Sequence, residues 1–111
     1  MSPDKQMMKG QLKPEFQTLI MVMQKLNFGK IKNMAVRDGL PVLRPAPLTI
    51  REVKLGNESR RRPEINLEDF ALKSEVRDMV EMLSKMRNGV VLSLQVRNGL
   101  PCLIKVQESV N

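Results

Sequence analysis

Between residues 14 and 43 the apolar and polar positions follow one rhythm and then another. Phe16, Leu19, Ile20, Met23 and Leu26 recur at intervals of three and four, the spacing of a helix with one buried stripe. Pro14 suits the first helical position, where a missing N–H leaves no bond unmade. The same rhythm returns at Val76, Met79, Val80, Leu83 and Met86, with Ser74 placed to act as an N-cap. A second option starts this helix at Asn66, with Glu68 and Asp69 in its first turn. Gly29 and Gly89 mark the ends, because glycine readily takes the left-handed conformation that closes a helix.

The rhythm then shortens to two. Residues 90–97, VVLSLQVR, alternate as a strand, with Val90, Leu92, Leu94 and Val96 on one face and Val91, Ser93, Gln95 and Arg97 on the other. Asp38-Gly39 and Asn98-Gly99 are pairs favoured in type I′ turns, where both central residues need positive φ. Each passage therefore predicts a helix followed by a β-hairpin. With two-residue loops, Arg37 opposes Leu40 and Val36 opposes Pro41. Pro41 and Pro101 have no N–H for a ladder, which places the second strands outside and the first strands, 30–37 and 90–97, at the centre.

The two passages repeat one another. Residues 15–43 align with 75–103 without a gap, and nine of the 29 positions are identical, among them Gly29/Gly89, Val36/Val96, Arg37/Arg97 and Pro41/Pro101. The predicted fold is α+β: a tandem duplication of a helix–β-hairpin unit, forming one antiparallel sheet of four or five strands with two helices on one face. The chain of 111 residues reads as a single domain, with unit 1 at about 14–44, a linker at 45–66 and unit 2 at about 67–107. Met34, Val36, Leu43, Val90, Leu92, Leu94, Val96 and Leu103 are expected to meet the helix stripes. In the linker, Pro45 and Pro47 stop hairpin pairing, LTIREVKL (48–55) alternates well enough to add a strand, and GNESRRRPE (56–64) reads as a loop.

Composition then narrows the chemistry. The sequence contains no His and a single Cys, Cys102. It therefore lacks an imidazole base, a His metal ligand, a cysteine zinc site within one chain and an internal disulfide. Glu75, Asp78 and Glu81 are spread around their helix rather than focused, so no acid/base pair stands out. The expectation is a protein that is not an enzyme, with no cofactor and no metal. A lone thiol suits a reducing cytoplasm, and no apolar run approaches the ~20 residues needed to cross a bilayer. A cytoplasmic location without membrane contact follows as the expectation; the first 16 residues also lack the apolar stretch of a secretory signal.

Charge points toward a partner. The net charge is +7, and residues 1–66 hold all of that excess, with thirteen Lys/Arg against six Asp/Glu, whereas residues 67–111 hold six of each. Such asymmetry favours a polyanion. The candidate contacts are Arg60, Arg61 and Arg62 with Arg51 and Lys54 in the linker, and Lys30, Lys32 and Arg37 on the first hairpin. Solvation of a charged linker and shielding of a strand end are the competing explanations for these residues. No aromatic is evident beside the hairpin arginines, which speaks against base stacking. Met21 and Val22 fall off the main stripe of the first helix and suit a partner or homodimer interface. The predicted function is a non-enzymatic binding module leaning to sequence-nonspecific nucleic-acid backbone binding. The alternative is protein–protein interaction or homodimerisation through the Met-rich helix face or a sheet edge.

The stretches LNFGKIKNMAVRDGL and MRNGVVLSLQVRNGL resemble small bacterial proteins of an uncharacterised family, each carrying one helix-plus-β-hairpin unit. The resemblance covers about 30 residues in each half, while the tandem arrangement and the Arg60–Arg62 run have no counterpart in it. It implies the helix-plus-hairpin fold and a bacterial origin, and carries no activity.

Overall fold

A computed structural model describes residues 12–56 and 73–108. The two stripes form helices of equal length, α1 (Pro14–Leu26) and α2 (Ser74–Met86). Pro14 opens α1 as its spacing implies. Ser74 is not a cap but the first helical residue of α2; Lys73 occupies the cap position, and the Ser74 hydroxyl turns to the Glu75 carboxylate at 3.2 Å. The alternative start at Asn66 lies outside the described residues.

The last helical residues, Leu26 and Met86, stand three positions before Gly29 and Gly89. Asn27 (φ 65, ψ −58) closes α1, and Arg87 (φ 67, ψ −66) closes α2. These angles belong to the rarer, strained form of the γ-turn, and the Asn88 amide makes its short-range bond to the Met86 carbonyl at 2.8 Å. The glycines serve close approach instead. A Cβ on Gly29, whose φ is +151, would run into the Ile50 carbonyl of the neighbouring strand, and one on Gly89 would meet the Gln107 carbonyl.

From these turns the chain enters β1 (Phe28–Arg37) and β4 (Gly89–Arg97), each followed by its hairpin partner. Asp38 and Gly39 have φ 53 and 77, and Asn98 and Gly99 have φ 56 and 74, as type I′ turns require. Val36 opposes Pro41 and Val96 opposes Pro101. The first strands do lie centrally, paired antiparallel to one another. Gly29 pairs with Val96 and Val36 with Gly89; Ile31 pairs with Leu94 and Met34 with Val91. Each of these pairs maps onto the other when sixty is added to one member and subtracted from the other.

Among the described residues the sheet has five strands, in the order β2-β1-β4-β5 with β3 beside β2 on the same side of β1. β2 (Leu40–Pro41) and β3 (Leu48–Arg51) together occupy the position that β5 (Leu100–Glu108) fills alone. Gly29↔Arg51 matches Gly89↔Glu108 in this respect. The extra strand expected at 48–55 is thus the second half of a broken outer strand, interrupted around Pro45 and Pro47, and it ends at Arg51.

One face of the sheet packs on both helices. The core is Phe16, Leu19, Ile20, Met23 and Leu26 from α1, Val76, Met79, Val80 and Leu83 from α2, and three residues from each central strand. Those three are Ile31, Met34 and Val36 in β1 and Val91, Leu94 and Val96 in β4. This corrects the expected alternation. Val91, not Val90 or Leu92, points inward, because Asn33 and Leu92 drop out of the β1–β4 ladder opposite one another and reset the phase of both strands. Asn33 does so with φ 59, and the β4–β5 register shifts at the same level. Leu103 is also on the outside, 53% exposed; a second register shift, beside Cys102, brings Ile104 against the core in its place.

Candidate nucleic-acid interface

Among the described residues the second face of the sheet carries no helix, and pairing in register fixes which side chains share it. Directly opposed residues lie on the same face, with Cβ atoms about 4.5–5.5 Å apart. At one end Phe28 stands opposite Arg97. The next level runs Ile50, Lys30, Gln95, Leu103 across four strands, and the one after it Leu48, Lys32, Ser93, Lys105. Beyond the paired irregularity at Asn33 and Leu92 come Ala35, Val90 and Gln107. Successive levels are separated by about 7 Å along the strands, and Lys32 and Lys105 by about 10 Å across them.

Four cations occupy these positions, and one carboxylate joins them at the edge: Glu52, just beyond β3, whose amide donates to the Phe28 carbonyl at 2.9 Å. Glu15, Glu75, Asp78 and Glu81 all sit on the helices, on the far side of the sheet. Lys30 and Lys32 are half-buried, as suits a side chain whose apolar stem can cover a sheet while its charged head stays in water. Between the cations stand exposed apolar side chains: Leu48, Ile50, Leu92, Leu103 and Phe28. The face is therefore cationic and partly apolar at once. This combination suits a ligand with anionic groups and flat apolar surfaces.

The sequence-predicted residues fall into separate places. Lys30 and Lys32 lie at the centre of this face. Arg37 is exposed at the opposite end of β1 from Phe28, so the repeated pair Arg37 and Arg97 marks two distant ends of the sheet rather than one site. Arg51 pairs with Gly29 and its guanidinium donates to the Lys25 carbonyl at 3.4 Å, where it serves the C-terminal end of α1. Lys54 is exposed beyond β3. Arg60, Arg61 and Arg62 lie outside the described residues. Met21 is exposed, whereas Val22 is partly buried against the core, so the two do not form a strip.

Three features escaped the sequence reading: Phe28, its pairing with Arg97, and Lys105. The signal for the first two lay in the repeat. Central strands related by a sixty-residue offset and paired symmetrically put residue 28 opposite residue 97.

A shallow groove of about 350 Å³ runs between α2 and β5, lined by Met79, Met82, Leu103 and Ile104 with Glu75 and Asp78 at its side. Its carboxylates make it a poor place for a polyanion. Among the described residues there is no group of His, Cys, Asp and Glu arranged to hold a metal ion, and no helix long and apolar enough to cross a membrane. No protein family, curated protein or solved structure matches the chain.

Proposed function

We propose that the protein is a non-enzymatic nucleic-acid-binding module, holding a phosphate backbone against its open sheet face through Lys30, Lys32, Arg97 and Lys105. The observation that carries this reading is the segregation of charge: these four cations share one face, and among the described residues its single carboxylate is Glu52, at the outer edge opposite Phe28. The basic linker residues Arg60, Arg61 and Arg62 add to the attraction by long-range charge, whatever their position.

Fluorescence anisotropy with a labelled oligonucleotide, at about 50 and 200 mM salt, tests the reading. Four backbone contacts to a single strand predict a log–log salt slope of about −3. The Lys32→Glu/Lys105→Glu pair should weaken binding strongly, and Arg60→Ser/Arg61→Ser/Arg62→Ser more mildly. Absence of binding at the lower salt would overturn the proposal.

The exposed leucines and Ile50 on the same face favour a second reading, in which a protein partner docks there and the complex tolerates salt. Under either reading the chain is a tandem duplication of one helix–hairpin unit, related to the single-unit bacterial proteins it resembles. Support comes from the aligned identities and from a central strand pairing that is unchanged when the units are exchanged.

A further inference from the structure

We infer that the strand bound on this face is single-stranded, with Phe28 as the platform on which one base stacks. The inference rests on the nucleic-acid reading above and concerns what that reading leaves open, the state of the polymer.

Phe28 is 37% exposed at the first position of β1, on the face without helices. Its cross-strand neighbours are Arg97 on β4, itself exposed, and Glu52 on the outer side, so a phosphate beside the ring is met from the Arg97 side. A ring beside a guanidinium is the pairing that holds an unstacked base: the base lies on the ring while the cation meets the adjacent phosphate or stacks in turn. From that corner Lys30 lies one level along the strand and Lys32 two, so the cations continue as a track away from the ring.

A duplex makes poor use of this surface. Its phosphate ridges would meet the lysines, but Phe28, Ile50 and Leu103 would face sugar and phosphate with nothing flat to cover them. A single strand satisfies both components, since every base has a π-face and stacking tolerates any sequence. The acidic groove beside α2 turns the same strand away from the helix layer. The position equivalent to Phe28 in the second unit is Asn88, so among the described residues only one end of the face offers an aromatic platform.

The test compares a fluorescein-labelled uridylate dodecamer with a duplex of equal length, within the footprint of about 4–16 nucleotides common for such platforms. The protein should prefer the single strand. Phe28→Ala should lower single-strand affinity about 5- to 150-fold and leave the salt slope unchanged. Phe28→Tyr keeps the ring and should keep the affinity. The chain has no Trp or Tyr, so this variant also carries a lone phenol fluorophore, whose emission should be quenched as the oligonucleotide saturates it. Equal or tighter duplex binding, an unaffected folded Phe28→Ala variant, or unquenched emission from saturated Phe28→Tyr would each overturn the stacking inference while leaving backbone binding in place. No binding of either polymer by the wild type would overturn both. Salt-tolerant binding to a protein, with no competition from the dodecamer, would assign the face to the other class of partner.

Discussion

The Gly99 amide, at the tip of the second hairpin, donates to the carbonyl of Asn27, the residue that closes the first helix, at 2.9 Å. Its counterpart is the Gly39 amide on the Arg87 carbonyl at 2.8 Å. Each hairpin tip is thus fastened to the end of the other unit's helix. The phrase R-[D/N]-G-L-P recurs because the same docking is made twice: the turn supplies an amide at a residue with positive φ, and the strained γ-turn at the helix end turns its carbonyl to receive it.

Gly39→Val and Gly99→Val should each destabilise the fold by about 1–3 kcal/mol, since a β-branched residue resists φ near +75°. At Gly39 packing adds to the strain. A Cβ there would lie 3.0 Å from the Ser84 carbonyl oxygen, so the turn would also be pushed off α2. Denaturant unfolding of each variant beside the wild type measures the cost.

Gly29→Ala should detach β3. The φ of +151 and the Ile50 carbonyl together leave no room for a methyl group. The expected cost is about 2–3 kcal/mol, at the upper part of the range for a single strained residue. Hydrogen exchange of the β1–β3 ladder should accelerate while the β1–β4 ladder stays protected.

Arg87→Gly should stabilise the protein by about 1 kcal/mol, the relief of strain exceeding the extra chain entropy lost by glycine. The ion pair it removes, to Asp38 at 4.0 Å between two well-exposed side chains, is worth little. Asn27→Gly should gain less, because Asn tolerates positive φ better than Arg. A rise in Tm of about 4–8 °C for Arg87→Gly is the expected reading.

Met21→Asp should leave stability within about 0.5 kcal/mol, whereas Leu19→Ala two positions away should cost about 2–5 kcal/mol. Met21 is 45% exposed and Leu19 is fully enclosed. If Met21→Asp also leaves the oligomeric mass unchanged in sedimentation, α1 is not a dimer surface.

The helix stripes, the hairpin tips and the central position of the first strands were legible because each depends on local spacing or on residues with special φ. The phase reset at Asn33 and Leu92 was not. VVLSLQV places an apolar residue on either side of the irregularity, so its alternation fits a straight strand as well as a bulged one. The broken outer strand was half legible: Pro45 and Pro47 announced the interruption, but not that Leu48–Arg51 would rejoin the same edge. For the candidate site, Lys30 and Lys32 were visible as charges. Phe28 was not recognised as a surface aromatic, because the glycine-based helix end obscured where β1 begins, and its pairing with Arg97 is long-range. Lys105 joined the face only through the shifted register of β5.

The two outer strands are unequal in a way that bears on assembly. On one side the edge is in two short pieces of two and four residues, with prolines between them. On the other, β5 runs for nine residues. A ribbon of indefinite length needs every subunit to be adhesive on both flanks. With one flank fragmented, strand addition at β5 joins two molecules back to back and then has nowhere further to grow.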